Sequence, residues 1–481
     1  MSSLPGIIGL LIFMYARPHE FFVELKDYNF LYLFLGLSAI GIVHDISERR
    51  TKLMAPPMTK YIVLFSIWCL ITLALRKPAD VLARSTLVAV CALLYALLAH
   101  GVQRISGFYR IITVIFTLGL FVSYVGADQG FSGFQCVIYN PAEKNSRGWT
   151  DGRDCYVQET DGSPHDGQLD CIMTGKPGVA YLCEHAGLFG TTSCGGGRVR
   201  YFGVLLDPNE LALATALTTP FAFAFFEMRA TVTRLALLLF SLVVIAVEIV
   251  FTQSRGGQVT FGAVLGVYFV KKYGIKRGAM VGAALAIPMV LLGGRSDEAA
   301  ADSTRERLNC AAEGIKMLMS YPLTGVGYLQ FTDHHFLTAH NAYILAVGEL
   351  GLPGMWLFGI IVYLSIKIPL SVVRFEIPPI AVTRANLTAH QDARTMKALG
   401  TAMLAALVGA AVGIYFLSWT YHYVLWIHFG LCGALHSTMR RTYPTYVCEM
   451  SWKEARNVFV VYLGYLIVWS GYIHYKGAWN L

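Results

Sequence analysis

The sequence predicts an all-α polytopic transmembrane helical bundle of about 12–13 spans, with a periplasmic helical loop and a small cysteine-rich periplasmic insert. Three observations predict it. Hydrophobic residues make up 55% of the 481 and charged residues 14%, where a soluble chain averages roughly 25% charged. Mean hydropathy is +0.53, so a soluble fold would lack the polar residues to cover its surface. The apolar runs are continuous, whereas the strands of a membrane β-barrel would alternate polar and apolar residues. The same composition excludes disorder, coiled coil and collagen.

A helix needs about 20 apolar residues to cross the bilayer core. Runs of that kind fall near 4–15, 28–45, 60–75, 84–100, 107–125, 203–226 and 234–252. Further runs fall near 258–272, 278–293, 341–366, 397–417, 422–438 and 456–473. The first is short, enough to half-enter the membrane. Arg17, Pro18 and His19 follow it rather than a small-residue cleavage site, so it reads as a retained segment.

With the N-terminus inside, the inner loops collect Arg49, Arg50, Lys52, Arg229, Arg234, Lys271, Lys272, Lys276 and Arg277. They also collect Lys367, Arg374, Arg384, Arg394, Arg440, Arg441 and Lys453, while the short outer loops carry chiefly Arg17, Lys26, Arg76 and Lys77. That asymmetry sets the orientation and accounts for the net charge of +8. No basic run interleaves with exposed aromatics, so nucleic acid is not an expected partner. The chain divides into N-terminal spans 1–126, an outer insert 127–202, central spans 203–293, an outer loop 294–340 and C-terminal spans 341–481.

The insert holds Cys136, Cys155, Cys171, Cys183 and Cys194, and the second outer loop adds Cys310. Six cysteines in a turn-rich outer module read as disulfide candidates, and sequence leaves their connectivity open. A zinc site competes, but no CxxC pair is present. Trp149, Tyr156 and Tyr181 suit either sugar binding or the small core of a structural cap, the cap being favoured.

Four outer-face stretches carry the polar residues. In RVRYFGVLLDPNELAL, 198–213, Asp207 and Pro208 form a helix start. Asp207, Asn209, Glu210 or Arg200 then either cap and brace or face a polar cavity. In TQSRGGQ, 252–258, Ser254 caps the next helix, and Arg255 stands at the interface, snorkelling or binding an anion. Gly256 and Gly257 permit close backbone approach.

In the third stretch, Ser303 and Glu306 form a capping box that starts a helix, with Arg305 and Arg307 in its first turn. Leu308, Ala312, Ile315 and Met319 form its apolar stripe, which suits a helix lying on the membrane surface. Pro322, Gly325 and Gly327 then make a sharp turn. In the fourth stretch, His340 and Asn341 open a span. A helix N-terminus attracts phosphate and disfavours imidazolium, which would keep His340 neutral and able to accept a proton. Taken alone, a histidine at an interface is more often incidental than catalytic. Together, Arg255, Arg307 and His340 suit a lipid-linked diphosphate, held by guanidinium forks beside a general base. Glu349, nine residues on, reads as structural.

These stretches resemble the O-antigen ligase and polymerase superfamily of bacterial membrane glycosyltransferases. The carrying motifs are SRGG at 254–257, the run from Arg307 through YPLTGVG at 321–327, and HNAYILAVGELGLPG at 340–354. Arg255, Arg307, His340, Asn341 and Glu349 match the family pattern. YARPHEFF at 15–22 looks like an exopolysaccharide- and exosortase-associated subgroup. Two features depart from the pattern: Ala311 stands where a tryptophan is frequent, and the cysteine-rich insert is not a general family feature.

The resemblance implies a multi-pass protein of the bacterial inner membrane with its active site facing the periplasm. It implies catalysis by His340, Arg255 and Arg307, with Arg305, Asn341, Asp207, Asn209 and Arg200 as substrate-binding candidates. It implies inverting transfer of a glycan from undecaprenyl diphosphate to an acceptor hydroxyl on lipid A–core, as in lipopolysaccharide biosynthesis. No cofactor or metal is expected, and the outer loops carry no DxD cluster. A polymerase extending lipid-linked repeat units is the alternative, followed by a protein O-oligosaccharyltransferase. A transporter of lipid-linked glycan is the rival from another class, disfavoured by the absence of repeats and by polar groups gathered at one face.

Overall fold

The structure, a computed structural model, describes residues 2–52, 54–138, 148–157, 169–171, 180–281, 284, 297–376 and 387–477. Helices α1 (Leu4–Tyr15), α2 (Phe30–Ser47), α3 (Thr59–Arg76), α4 (Val81–Gly101) and α5 (Ile105–Phe131) form the N-terminal part. Helices α6 (Pro208–Ala216), α7 (Thr219–Met228), α8 (Val232–Phe251) and α9 (Arg255–Tyr273) follow the insert. After α10 (Asp297–Ser320) and the short α11 (Phe331–His334) come α12 (Ala342–Arg374), α13 (Leu387–Gly413), α14 (Tyr423–Thr442) and α15 (Trp452–Tyr475). Among the described residues, nine helices or helix pairs are long and apolar enough to cross a membrane. The expected span at 278–293 falls largely outside the described residues.

Helices α9, α10 and α14 are also of spanning length but less apolar, and for α14 the reason is its place in the fold. Helix α14 lies inside the bundle, so it can carry His428, His436, Ser437 and Thr438, all buried. Small residues bring it against α4: a Cβ on Gly433 would lie 2.6 Å from the Cβ of Ala99, and Ser437 Oγ donates to the Ala99 carbonyl at 2.8 Å. Close approach through small residues and interhelical hydrogen bonds is how helices associate where lipid supplies no hydrophobic drive.

The span expected at 203–226 is two helices, α6 and α7. Pro220 removes an amide near the junction, and Thr218 Oγ1 turns back onto the Thr215 carbonyl at 2.8 Å. The buried Glu248 is held by Thr215 Oγ1 at 2.8 Å. Helix α12 breaks at Gly351, whose φ of +64° only glycine adopts readily. Trp68 Nε1 donates to the Leu350 carbonyl at that break, at 2.8 Å.

The insert adds strands to the expected all-α bundle. Strands β1 (Phe134–Ile138), β2 (Trp149–Asp154) and β5 (Tyr181–His185) make an antiparallel sheet in the order β2-β1-β5, and β3 (Tyr156–Val157) pairs with β4 (Leu169–Asp170). Disulfides Cys136–Cys171 and Cys155–Cys183 staple it, and the sulfurs of Cys136, Cys155 and Cys171 lie within 4.8 Å of one another.

The expected third bridge is not formed: Cys194 and Cys310 are free. Cys194 sits in a turn closed on Arg198, whereas Cys310 is buried on α10 with His335 Nδ1 3.9 Å away. Burial pushes the Cys310 thiol up to about 11, so it stays protonated and inert. The sheet is fastened to the ends of α5 and α8, through Asp128 to the Leu188 amide at 3.0 Å and through the Phe251 carbonyl to the Val199 amide at 3.2 Å.

Candidate functional site

Three of the four stretches singled out in the sequence are built by local capping chemistry. Asp207 caps α6, accepting from the Asn209 amide at 2.6 Å, with Pro208 in the first turn. Ser254 caps α9, accepting from the Gly257 amide at 3.1 Å. Asn341 caps α12, accepting from Tyr343 and Ile344 at 2.9 and 3.1 Å. These caps set where Arg255 and His340 stand, one at the first position of α9 and one just ahead of α12.

The loop between α13 and α14 brings the three segments together, and sequence reasoning had not singled it out. A Cβ on Gly256 would lie 2.9 Å from the Cβ of Phe416, so the start of α9 rests on that ring. The Arg307 guanidinium lies 5.9 Å from the centroid of the same ring, a cation–π contact. The His340 loop is tied to the same stretch, by Ala342 N to the Ile414 carbonyl at 2.9 Å and Thr338 Oγ1 to Ser418 Oγ at 3.0 Å. Arg255, Arg307 and His340 therefore converge around residues 414–418.

His340 is half-buried and held at φ +49°, a left-handed conformation that costs a non-glycine residue roughly 1–2 kcal/mol. Its pKa is lowered from 6.5, first by burial and then by the Arg307 charge, while Asp207 and Glu306 oppose the shift. The imidazole is neutral at pH 7, as a base must be.

The N-terminus of α12 is not the expected phosphate seat. Asn341 and the Ile414 carbonyl already occupy the Ala342, Tyr343 and Ile344 amides, and Leu345 bonds the Asn341 carbonyl at 2.9 Å. Among the described residues, the Arg255 and Gly256 amides of α9 have no partner, beside the exposed Arg255 guanidinium. The anion-attracting helix end is that of α9.

The remaining candidates separate into two groups. Asn209 bonds Asp207 through its Nδ2 at 2.8 Å and takes Arg198 at 3.3 Å, so it braces α6 against the end of α8, where Arg198 Nε meets the Thr252 carbonyl at 3.0 Å. Asn341 is buried, and its Nδ2 donates to Tyr465 at 2.8 Å. Its amide thus caps α12 and ties it to α15. Arg200 is likewise turned to the insert, where it donates to the Thr192 carbonyl at 3.0 Å and its charge stabilises Glu184. Arg305 is exposed on α10.

Helix α10 begins at Asp297, so Arg305 and Arg307 lie in its middle and not in a first turn. Its buried face runs through Cys310, Ala311, Ala312, Ile315 and Met317, while Met319 of the expected stripe is 66% exposed. Gly314 packs on Ile344, which seats the helix against α12 rather than on a free membrane surface.

The YPLTGVG turn docks on the break in α12. Gly325 and Gly327 adopt φ of +61° and +111°, and Val326 and Gly327 donate to the Gly348 and Glu349 carbonyls at 3.0 and 2.9 Å. The Glu349 carboxylate takes the Leu329 and Phe331 amides at 3.1 and 3.0 Å. Glu349 is thus structural, bonded to a loop.

Beside Asp207 lies a further group, of which sequence reasoning had singled out Glu210 but neither His422 nor Trp419. His422 Nδ1 accepts from the Val424 amide at 3.3 Å, so Nε2 carries the proton and donates to the Val204 carbonyl at 3.1 Å. Trp419 stacks on His422 at 4.1 Å, and Glu210 lies 3.8 Å from Nε2. The only signal for this group in the sequence is the aromatic cluster SWTYHY at 418–423.

No curated protein matches the chain. Residues 237–359 match a family described as O-antigen ligase. The matched segment holds Arg255, Arg307, His340 and Glu349, the residues whose geometry is described above. Over that segment, about a quarter of its length, the chain is similar to the O-antigen ligase superfamily.

Proposed function

We propose that the chain is a glycosyltransferase of the inner membrane that moves a glycan from undecaprenyl diphosphate to an acceptor hydroxyl of lipid A–core at the periplasmic face. The reading rests on one observation above all, the convergence of Arg255, Arg307 and His340 on the loop 414–418. The acceptor oxygen attacks the anomeric carbon as His340 takes its proton. The bond from that carbon to the diphosphate oxygen breaks, and its electron pair leaves with the diphosphate. Arg255, Arg307 and the open amides of α9 receive the charge. Attack opposite the leaving group inverts the anomeric centre, and no metal is required.

A polymerase is the second reading. One observation favours it: the YARPHEFF segment, which resembles an exopolysaccharide-associated subgroup, packs against the stretch that leads into α6. Tyr201 donates to the Ala16 carbonyl at 2.6 Å, and Gly203 faces the Arg17 guanidinium so closely that a Cβ would overlap it.

The test uses purified protein, an undecaprenyl-diphosphate-linked repeat unit and EDTA, with lipid A–core supplied or omitted. Product on lipid A–core alone supports the ligase. A ladder of longer lipid-linked chains without that acceptor supports the polymerase. No product in either tube, with donor binding intact, overturns both.

A further inference from the structure

The opposite face of the bundle carries a different chemistry. Two adjoining cavities of about 550 and about 910 Å³ open there, and both are lined by Ala230 and Arg394. Together they gather Arg229, Arg234, Lys271, Lys272, Arg394 and Lys397 against a single carboxylate, Glu227. These cations come from the ends of α7, α8 and α9 and the start of α13. They line the two cavities from different helices, with Arg229, Lys271 and Arg394 exposed to solvent.

Three of the six are compensated. Lys272 pairs with Glu227, Arg234 donates to the Phe225 carbonyl at 2.7 Å, and Lys397 donates to the Val373 carbonyl at 2.7 Å. Among the described residues, Arg229, Lys271 and Arg394 have no partner. His390 lines the larger cavity, and its buried Nε2 has no hydrogen bond. Like charges in a partly desolvated cleft repel, and an anion would relieve the repulsion. Phe226, Val373 and Ala398 make part of the smaller cavity's wall apolar. Free phosphate gains nothing from that wall, whereas the glycerol and acyl groups of a lipid do.

We propose that these cavities bind the headgroup of an anionic phospholipid carrying two phosphates, of the cardiolipin type. One phosphate sits in each cavity, and Arg394 is shared between them. Guanidinium and ammonium groups meet the phosphate oxygens, and the acyl chains run back along the outside of the bundle. The site lies apart from Arg255 and His340, so it stands whether or not the transfer reaction is as proposed.

The test is native mass spectrometry of the full chain, released from nanodiscs holding cardiolipin, phosphatidylglycerol or phosphatidylethanolamine, with inorganic pyrophosphate as a soluble competitor. Wild type is expected to retain cardiolipin at least tenfold better than phosphatidylethanolamine and to keep it when pyrophosphate is added. The double variant Lys271→Ala with Arg394→Ala should lose about 25-fold in retention, from roughly fivefold per cation at a membrane surface. Lys453→Ala, an exposed cation on the same face, should lose none. The pair Lys271→Arg with Arg394→Lys keeps both charges and should keep the lipid, which guards against a misfolded alanine pair. Equal retention by the alanine pair, loss in the charge-keeping pair, or displacement by pyrophosphate would each overturn the proposal.

Discussion

Replacing His340 by Asn separates chemistry from architecture. His340 holds φ +49°, and asparagine enters that left-handed region more readily than most residues. The loop should therefore keep its shape, anchored by the Ala342–Ile414 and Thr338–Ser418 bonds. Among the described residues the imidazole has no hydrogen-bond partner, so its loss leaves no buried group stranded. What disappears is a proton acceptor, and a positioned general base contributes roughly 10²–10⁴-fold in rate, about 2.7–5.4 kcal/mol of transition-state stabilisation. Arg255 and Arg307 are untouched, so donor affinity should hold within about twofold. The assay is single-turnover transfer from the lipid-linked donor, paired with donor binding and the melting temperature. A variant that keeps more than a tenth of wild-type transfer would refute the base assignment. So would a rate loss matched by an equal loss of donor affinity or an early melt, because His340 would then be a scaffold residue.

Four further outcomes follow from the structure. The His340 pKa is lowered from 6.5, so the base form prevails at neutral pH, and kcat/KM should fall only as pH drops through a value under 6.5. Asp207→Asn removes a charge that raises that pKa while keeping a good helix cap, so the acid limb should move to lower pH, read from pH–rate profiles. Glu349→Ala strands the buried Phe331 amide and the Leu329 amide at about 1–3 kcal/mol each, and a clear drop in melting temperature should accompany the loss of activity. The disulfides close separations of 35 and 28 residues, worth about 3.8 and 3.6 kcal/mol in the chain-entropy picture. Cys136→Ser should thus expose the insert to limited proteolysis while the bundle stays protected.

What the sequence made legible was local. Caps at Asp207, Ser254 and Asn341 follow from side chains that reach amides two or three residues ahead, and such spacings are visible in a string. The structural role of Glu349 was legible from helical rise, which sets it too far along α12 to share chemistry with His340. The misses depend on distant partners. The start of α10 was read from the Ser303–Glu306 spacing, yet the helix begins six residues earlier. Its packing follows Gly314 against Ile344, a contact between helices that no local pattern announces. Phe416 looked like one more apolar residue in a span, and only folding shows that it underlies the start of α9 and the Arg307 guanidinium. Cys310 was counted into a sixfold set, but burial against α12 turns it toward His335.

Arg76, Lys77 and Arg84 stand on the face that carries Arg255 and His340, where the alternation of loops leaves few cations. Each has a partner in the loop 321–340 that explains its place. Arg76 donates to Thr324 at 2.7 Å and lies 3.8 Å over the Tyr321 ring. Lys77 and Arg84 pair with Asp333, and Arg84 also holds the Leu329 carbonyl. These cations are fixed by structure, so they do not weaken the topological signal of the opposite face. They also complete the scaffold of His340. The loop is gripped at its start by Arg76, in the middle by Glu349, Lys77 and Arg84, and at its other end by Ile414 and Ser418. Arg84→Gln should therefore lower kcat several-fold with little change in KM, although Arg84 meets no substrate, because a base loses efficiency once its position loosens. A fall in donor affinity that matches the fall in kcat would mean instead that this corner of the bundle binds the glycan directly.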